Sequence, residues 1–290
     1  YYTCRTNDPS ASPTDCTYSD WSRFVGRRGG NPDLLPETAE SITAGIVWAP
    51  SSRWQFSADY FRVELNDEVL NLSTDLLLRD EAACRLGTTF DGSAVDVNSP
   101  TCQDALARVT RYDSGPLAGD IRLIDVLPVN TAQQITDGLD FAADGSFSID
   151  DVWDLSLGGS FTYVLNHTLL QYPGDPVIDK FDVSQGYGVA KEKGKAWATL
   201  STDKFKVSLT GLYTGELTNW NWDGRIPGTV WYNLSTQYWA TDNIRLNFWI
   251  NNLLDSNPPN DPTHASYPYY NTAWYDSVGR EFYFSASLWF

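Results

Sequence analysis

The sequence contains no methionine in 290 residues. A complete reading frame begins with one, so the chain is expected to be a processed or partial one. Basic residues are few: 20 Lys and Arg stand against 37 Asp and Glu, a formal net charge of −17. A protein that neutralises phosphates needs the opposite balance, which excludes nucleic acid as a partner. No apolar run approaches the roughly 18 residues of a membrane-spanning helix, and Tyr1 to Ser10 hold no apolar signal core. A helical membrane protein is excluded. A β-barrel is not, because its strands signal only by alternation over about 10 residues each.

Catalytic signatures are also missing. There is no GxSxG, HExxH, GxxxxGKS/T or calcium-loop pattern, so the chain is not expected to be an enzyme and no cofactor or metal is expected. Gly186-Tyr187-Gly188 has only two glycines and follows a loop, and the pair Asp150-Asp151 reads as turn chemistry. His167 and His264 lie in separate loops with no evident partner. The four cysteines allow three connectivities. Local pairing, Cys4 with Cys16 and Cys84 with Cys102, closes the shortest loops, and neither pair has zinc-ligand spacing. Two loop disulfides in an oxidising compartment are favoured over metal or redox chemistry.

What the chain does have is aromatics, 14% of residues with 12 Trp, 16 Tyr and 13 Phe, and repeated period-2 alternation. At the C-terminus Phe282, Phe284, Ala286, Leu288 and Phe290 share one face and Tyr283, Ser285, Ser287 and Trp289 the other. The same pattern places strands at 41–49, 53–66, 131–149, 152–166, 193–202, 204–216, 228–240, 244–254 and 279–290. Short turns fall at Pro50–Ser52, Asp150–Asp151, Thr202–Lys204 and Thr241–Asn243, and long loops at 70–130, 167–192, 217–227 and 255–277.

A soluble β-sandwich also alternates. The strand lengths, the aromatics near strand ends (Trp48, Trp54, Trp153, Tyr163, Tyr213, Tyr238) and the Asp, Asn, Ser, Thr and Gln of the other face favour an all-β transmembrane antiparallel barrel. Short turns would be periplasmic and long loops extracellular. Nine strands cannot close in lipid as an even-numbered barrel, because an open edge leaves backbone groups unpaired. Further strands must come from elsewhere, with Tyr1 outside the cell and Phe290 at the periplasmic rim.

Four segments resemble the TonB-dependent outer-membrane receptors. Asn31 to Thr38 (NPDLLPET) resembles the segment before a barrel strand, and Gly138-Leu139-Asp140 the entry of a mid-barrel strand. Asn247 to Pro259 (NFWINNLLDSNPP) resembles the penultimate strand, and Gly279-Arg280 onward to Phe290 the last. The resemblance runs from Asn31 to Phe290 and implies the last nine strands of a 22-stranded barrel in the bacterial outer membrane. It implies partners as well: an N-terminal plug with the remaining strands, the TonB complex reached through that piece, outer-membrane lipid, and the barrel-assembly machinery, which would read Phe282, Phe284, Ala286, Leu288 and Phe290. Residues 1–30 would be the remnant of an extracellular loop, and 31–290 the barrel segment, with 70–130 as a long extracellular loop.

Candidate site residues lie in the loops. The 70–130 loop, with a helix expected over Asp75 to Leu86 and its apolar side at Leu76, Leu77, Leu78 and Ala82, either caps the mouth and touches substrate or only shields the barrel. Trp220 and Trp222, beside Asp223 and Arg225, form one aromatic cluster; Tyr267, Tyr269, Tyr270, Trp274 and Tyr275 form a second. Either would contact substrate or merely pack the loops. Asp59, Arg62, Glu64, Asp140, Asp154, Arg245 and Trp249 are expected on the lumen face, solvating it and pairing with a plug. The function expected is uptake of a scarce nutrient (siderophore, cobalamin, oligosaccharide or peptide) by binding and plug gating. The alternative is a structural component of a surface assembly. The acidic balance disfavours a strongly anionic ligand, and the loop aromatics favour a sugar or peptide.

Overall fold

The structure, a computed structural model, describes residues 25–70, 74–89, 92–171, 176–185 and 188–290; the expected Cys4–Cys16 disulfide lies outside them. The strands in chain order are β1 (Val25–Arg27), β2 (Thr38–Ser51), β3 (Trp54–Leu70), β4 (Val109–Arg111), β5 (Ile121–Asp125), β6 (Val129–Ser148), β7 (Asp154–Leu170), β8 (Ile178–Asp179), β9 (Glu192–Ser201), β10 (Phe205–Thr214), β11 (Leu217–Thr218), β12 (Arg225–Ile226), β13 (Thr229–Thr241), β14 (Ile244–Asn251) and β15 (Glu281–Leu288). Two helices, α1 (Thr74–Leu86) and α2 (Pro100–Arg108), lie between β3 and β4. Neither is long and apolar enough to cross a membrane.

Nine long strands form a meander in the order β15-β14-β13-β10-β9-β7-β6-β3-β2. They are the nine strands that alternation predicts. Among the described residues β2 and β15 end the sheet, which is open. The register keeps the two faces chemically distinct. Ile244, Leu246, Phe248 and Ile250 stand opposite Leu288, Ala286, Phe284 and Phe282, while Arg245, Asn247, Trp249 and Asn251 stand opposite Ser287, Ser285, Tyr283 and Glu281. The same division runs through β10 and β13, where Leu209 faces Leu234 and Ser208 faces Ser235.

Burial is inverted relative to a soluble sandwich. Phe284 is 68% exposed on the apolar face, whereas Asn247 on the polar face is 4% exposed and donates to Ser285 Oγ at 3.1 Å. A sheet that turns its aromatic face outward over this many strands needs an apolar solvent. Close packing on the polar face holds Gly158 as glycine: a Cβ there would collide with the Trp197 indole.

The four short turns share one device. Ser51 Oγ accepts from Arg53 N, Asp150 Oδ1 from Val152 N and Trp153 N, Thr202 Oγ1 from Lys204 N and Phe205 N, and Thr241 Oγ1 from Asn243 N. A short polar side chain that satisfies the backbone two residues on is the standard way to close such a turn. This accounts for Asp150 without chemistry.

The chain divides into two compact units, one formed by Tyr1–Glu40, Glu64–Gln134 and Leu169–Val177, the other by Ser41–Val63, Ile135–Thr168 and Ile178–Phe290. Within the first, the 70–130 span is a folded module. β5 pairs parallel with β1 and antiparallel with β4. The helices close over this sheet on a core of Leu77, Ala105, Val109, Ile121, Ile124 and Val126. Pro100 opens α2 behind Ser99, whose hydroxyl accepts from Cys102 N at 3.3 Å. The expected Cys84–Cys102 disulfide joins α1 to α2, with Cα atoms 5.4 Å apart. The Asn31–Thr38 segment acts as a latch in the same unit: Asn31 Nδ2 donates to Pro128 O, Leu35 N to Asn130 Oδ1, and Val69 N to Glu37 Oε1.

Candidate functional site

The loops of the second unit are held by a small core of their own. Ala190, Leu217, Ile226, Tyr270 and Tyr275 are buried together, with Trp274 packed against them. The β11–β12 hairpin enters this core through Leu217 and Ile226. Its tip is tied by Asn219, whose Oδ1 accepts from Asp223 N and Gly224 N and whose Nδ2 donates to Asp223 Oδ1 at 2.6 Å.

Asp261 joins the hairpin to the last long loop. It is 1% exposed, and its carboxylate accepts from Trp220 N at 2.7 Å, Thr263 N at 2.9 Å and Thr263 Oγ1 at 2.7 Å. Burial alone would push this carboxyl up. The bonds from Thr263 and Trp220 outweigh burial and hold it below the ordinary carboxylate value. Asn221 N adds a second stitch to Thr263 Oγ1 at 3.2 Å. The His264 ring then meets Trp220 edge-on at 4.6 Å, and its Nδ1 bonds the Ser266 carbonyl at 2.9 Å.

The sequence candidates separate by position. Trp220, Trp222, Tyr267 and Tyr269 are exposed on these joined loops. Asp223 is engaged with Asn219, and Arg225 donates to the Phe181 carbonyl. Trp274 packs so closely on Gly188 that a Cβ there would collide with its ring. Tyr275 is buried, its hydroxyl has no hydrogen-bond partner among the described residues, and burial pushes its pKa up. His264, which sequence alone left without a partner, meets the exposed Trp220 ring; no sequence signal links the two, since β12, β13 and β14 separate them.

Polar groups line the other face of the sheet. Asp137 lies 3.8 Å from Arg62 and accepts from Asn166, Asp140 accepts from Thr162 Oγ1, and Asp154 accepts from Ser148 Oγ at 2.7 Å. Arg245 lies over the Trp289 ring at 5.2 Å. A concavity of about 1020 Å³ lies on the apolar face between Trp48, Phe161, Tyr213 and Tyr232. Among the described residues no cluster of His, Cys, Asp and Glu could hold a metal ion.

A family model described as TonB dependent receptor-like, beta-barrel, matches residues 7–253. The chain belongs to this receptor family. No curated protein matches it. Among solved structures, a ferric enterobactin receptor of Pseudomonas aeruginosa in complex with enterobactin superposes with a TM-score of 0.54 at 14% identity, over 91% of this chain and 33% of that one. The siderophore receptor PirA of Acinetobacter baumannii gives 0.50 at 16%, over 90% and 32%. At these identities the likeness shows the fold. The chain spans about a third of the length of the receptors it resembles. The fold shared is that of their barrel, and the loops discussed above interrupt the strands of such a receptor.

Proposed function

We propose that the chain forms the C-terminal part of the barrel of a TonB-dependent transporter in the Gram-negative outer membrane. The transporter captures a scarce nutrient outside and releases it inward when a plug rearranges. The observation that carries this reading is the nine-strand meander with an apolar outer face, joined to the family match over residues 7–253. The plug and remaining strands belong to the rest of the receptor, through which the TonB complex acts. Lipid covers the apolar face. Phe282, Phe284, Ala286 and Leu288, which share one face of β15, and Phe290 supply the signal for the barrel-assembly machinery. Siderophore recognition by the structural relatives brings siderophores into consideration beside cobalamin, oligosaccharides and peptides. The folded 70–130 module is an extracellular loop.

The test is uptake by cells carrying the intact receptor, compared with and without TonB. Loss of receptor-specific uptake on TonB deletion supports the reading. Uptake that persists unchanged, or a receptor that never reaches the outer membrane as a heat-modifiable barrel, overturns it.

A further inference from the structure

Arg245 stands on the polar face of β14, with Trp239 of β13 and Ser287 of β15 as its cross-strand neighbours. Its guanidinium lies over the Trp289 ring at 5.2 Å. Its Nε is buried and donates to no acceptor among the described residues. Among those residues it forms no ion pair either. A buried N–H of a charged group left without an acceptor is costly, and native structures keep few of them.

The surroundings of Arg245 supply no carboxylate. Lys206, on the polar face of β10, faces Gln237 on one side and Ser201 on the other. Gln237 in turn faces Asn247, whose amide is committed to Ser285 Oγ. Asp154 stands across from Ser201 and accepts from Ser148 Oγ at 2.7 Å. Asp203 and Asp242 are exposed in the two short turns, as is Lys204, and neither acid forms an ion pair among the described residues. Glu281 faces Asn251 at the other end of β14. Two cations thus stand at the short-turn end of the polar face, each opposite neutral side chains. The missing acceptor must come from whatever fills the space beside that face.

Resting on the transport reading above, in which that space holds a plug, we propose that Arg245 is the barrel half of an ion pair with a carboxylate of the plug. The guanidinium offers Nε and one Nη as parallel donors, which a carboxylate matches and a single backbone carbonyl does not. Lys206 adds a second positive charge toward the same acid. The pair latches the plug at the short-turn end of β10 and β14, and it must open when the plug rearranges.

The test uses the intact receptor in detergent. Arg245→Lys is treated with a carbodiimide, which joins an amine to a carboxylate in contact with it, and the digest is read by mass spectrometry. An amide bond from position 245 to an Asp or Glu of the plug is expected. In Arg245→Gln and Arg245→Met, plug amides should exchange hydrogen about tenfold faster or more, as loss of a hydrogen bond to a charged group implies. The amides of β10 and β13 and the heat-modifiable mobility of the barrel should stay as they are. Coupling to Asp203 or Asp242 in place of the plug, or plug exchange indifferent to both substitutions, overturns the proposal. The two readings fail differently: a plug that is present and unaffected sinks this inference alone, whereas an intact protein without any plug segment sinks the transport reading as well.

Discussion

Arg111 grips Glu81 at two points: Nε donates to Oε1 at 2.8 Å and Nη2 to Oε2 at 2.6 Å. The Glu81 side chain is 0% exposed and that of Arg111 8%. Arg85, one helical turn on, adds a further donor to Oε1, and Arg111 Nη1 closes on Gly119 O at 2.7 Å. A carboxylate fully removed from water is tolerable only because donors meet both its oxygens. The pair also ties α1 to β4 and to the turn before β5, so the 70–130 module closes around it. Removing one partner strands a buried charge at a cost of about 3–5 kcal/mol, whereas replacing both with apolar groups costs far less. Glu81→Leu should therefore strip hydrogen-exchange protection from the amides of α1, α2 and β4, and adding Arg111→Met should restore most of it. Equal loss in the single and double variants would show that the pair does not organise the module.

Reducing the Cys84–Cys102 bond should act on the same module by another route. The two cysteines are 18 residues apart, and a cross-link closing a loop of that length is worth about 3 kcal/mol, chiefly by restricting the unfolded chain. Limited proteolysis of the intact receptor with and without reductant checks this. Cuts should appear between 74 and 128 on reduction, and Cys84→Ala should be cut whether or not reductant is present. An unchanged digestion pattern would mean that the core of Leu77, Ile121 and Ile124 holds the module unaided.

How far the sequence could be read depended on the range over which each feature is determined. Strand alternation is local: the pairs Phe248 with Phe284 and Ser208 with Ser235 follow from two stretches that each declare their own faces. All nine long strands were legible for that reason. The 70–130 module was legible only as α1 and the disulfide. Its core draws single residues from four short elements, and no periodicity in a three-residue strand such as β4 reveals which way Val109 points. The aromatic loops show the same limit. Trp220 and Trp274 both sit among Asn, Asp and Thr, yet one is offered to solvent and the other packs on Gly188. The difference arises from Asp261, which accepts from Trp220 N across three intervening strands.

Acid should loosen that junction. The folded-state carboxyl of Asp261 is held below its ordinary value, so its contribution to stability is fully present above the unfolded value, about 3.9. It is lost as pH falls through the lower folded value. The amides of Trp220 and Thr263 are thus expected to lose protection as the pH is taken below about 4, ahead of the β-sheet. Asp261→Asn should remove most of this pH dependence, because the substituted side chain no longer titrates. If both forms lose protection along the same pH curve, another carboxylate controls the junction.

The two faces of β10 give a direct check on which side meets lipid. Leu209 and Thr210 are neighbours that point to opposite sides, Leu209 with Leu234 and Ala198, Thr210 with Asn233 and Trp197. An arginine placed on the lipid face near the bilayer midplane costs about 2–4 kcal/mol, while one on the wet face tunes the interior at little cost. Leu209→Arg is expected to lower the temperature at which the unheated barrel loses its compact electrophoretic mobility, and to reduce the amount assembled in the outer membrane. Thr210→Arg should leave both nearly unchanged, because its side chain can extend into the polar row of Ser208, Lys206 and Asn233. The reverse ranking would mean that the apolar face of the sheet is turned inward, and the transport reading would fall with it.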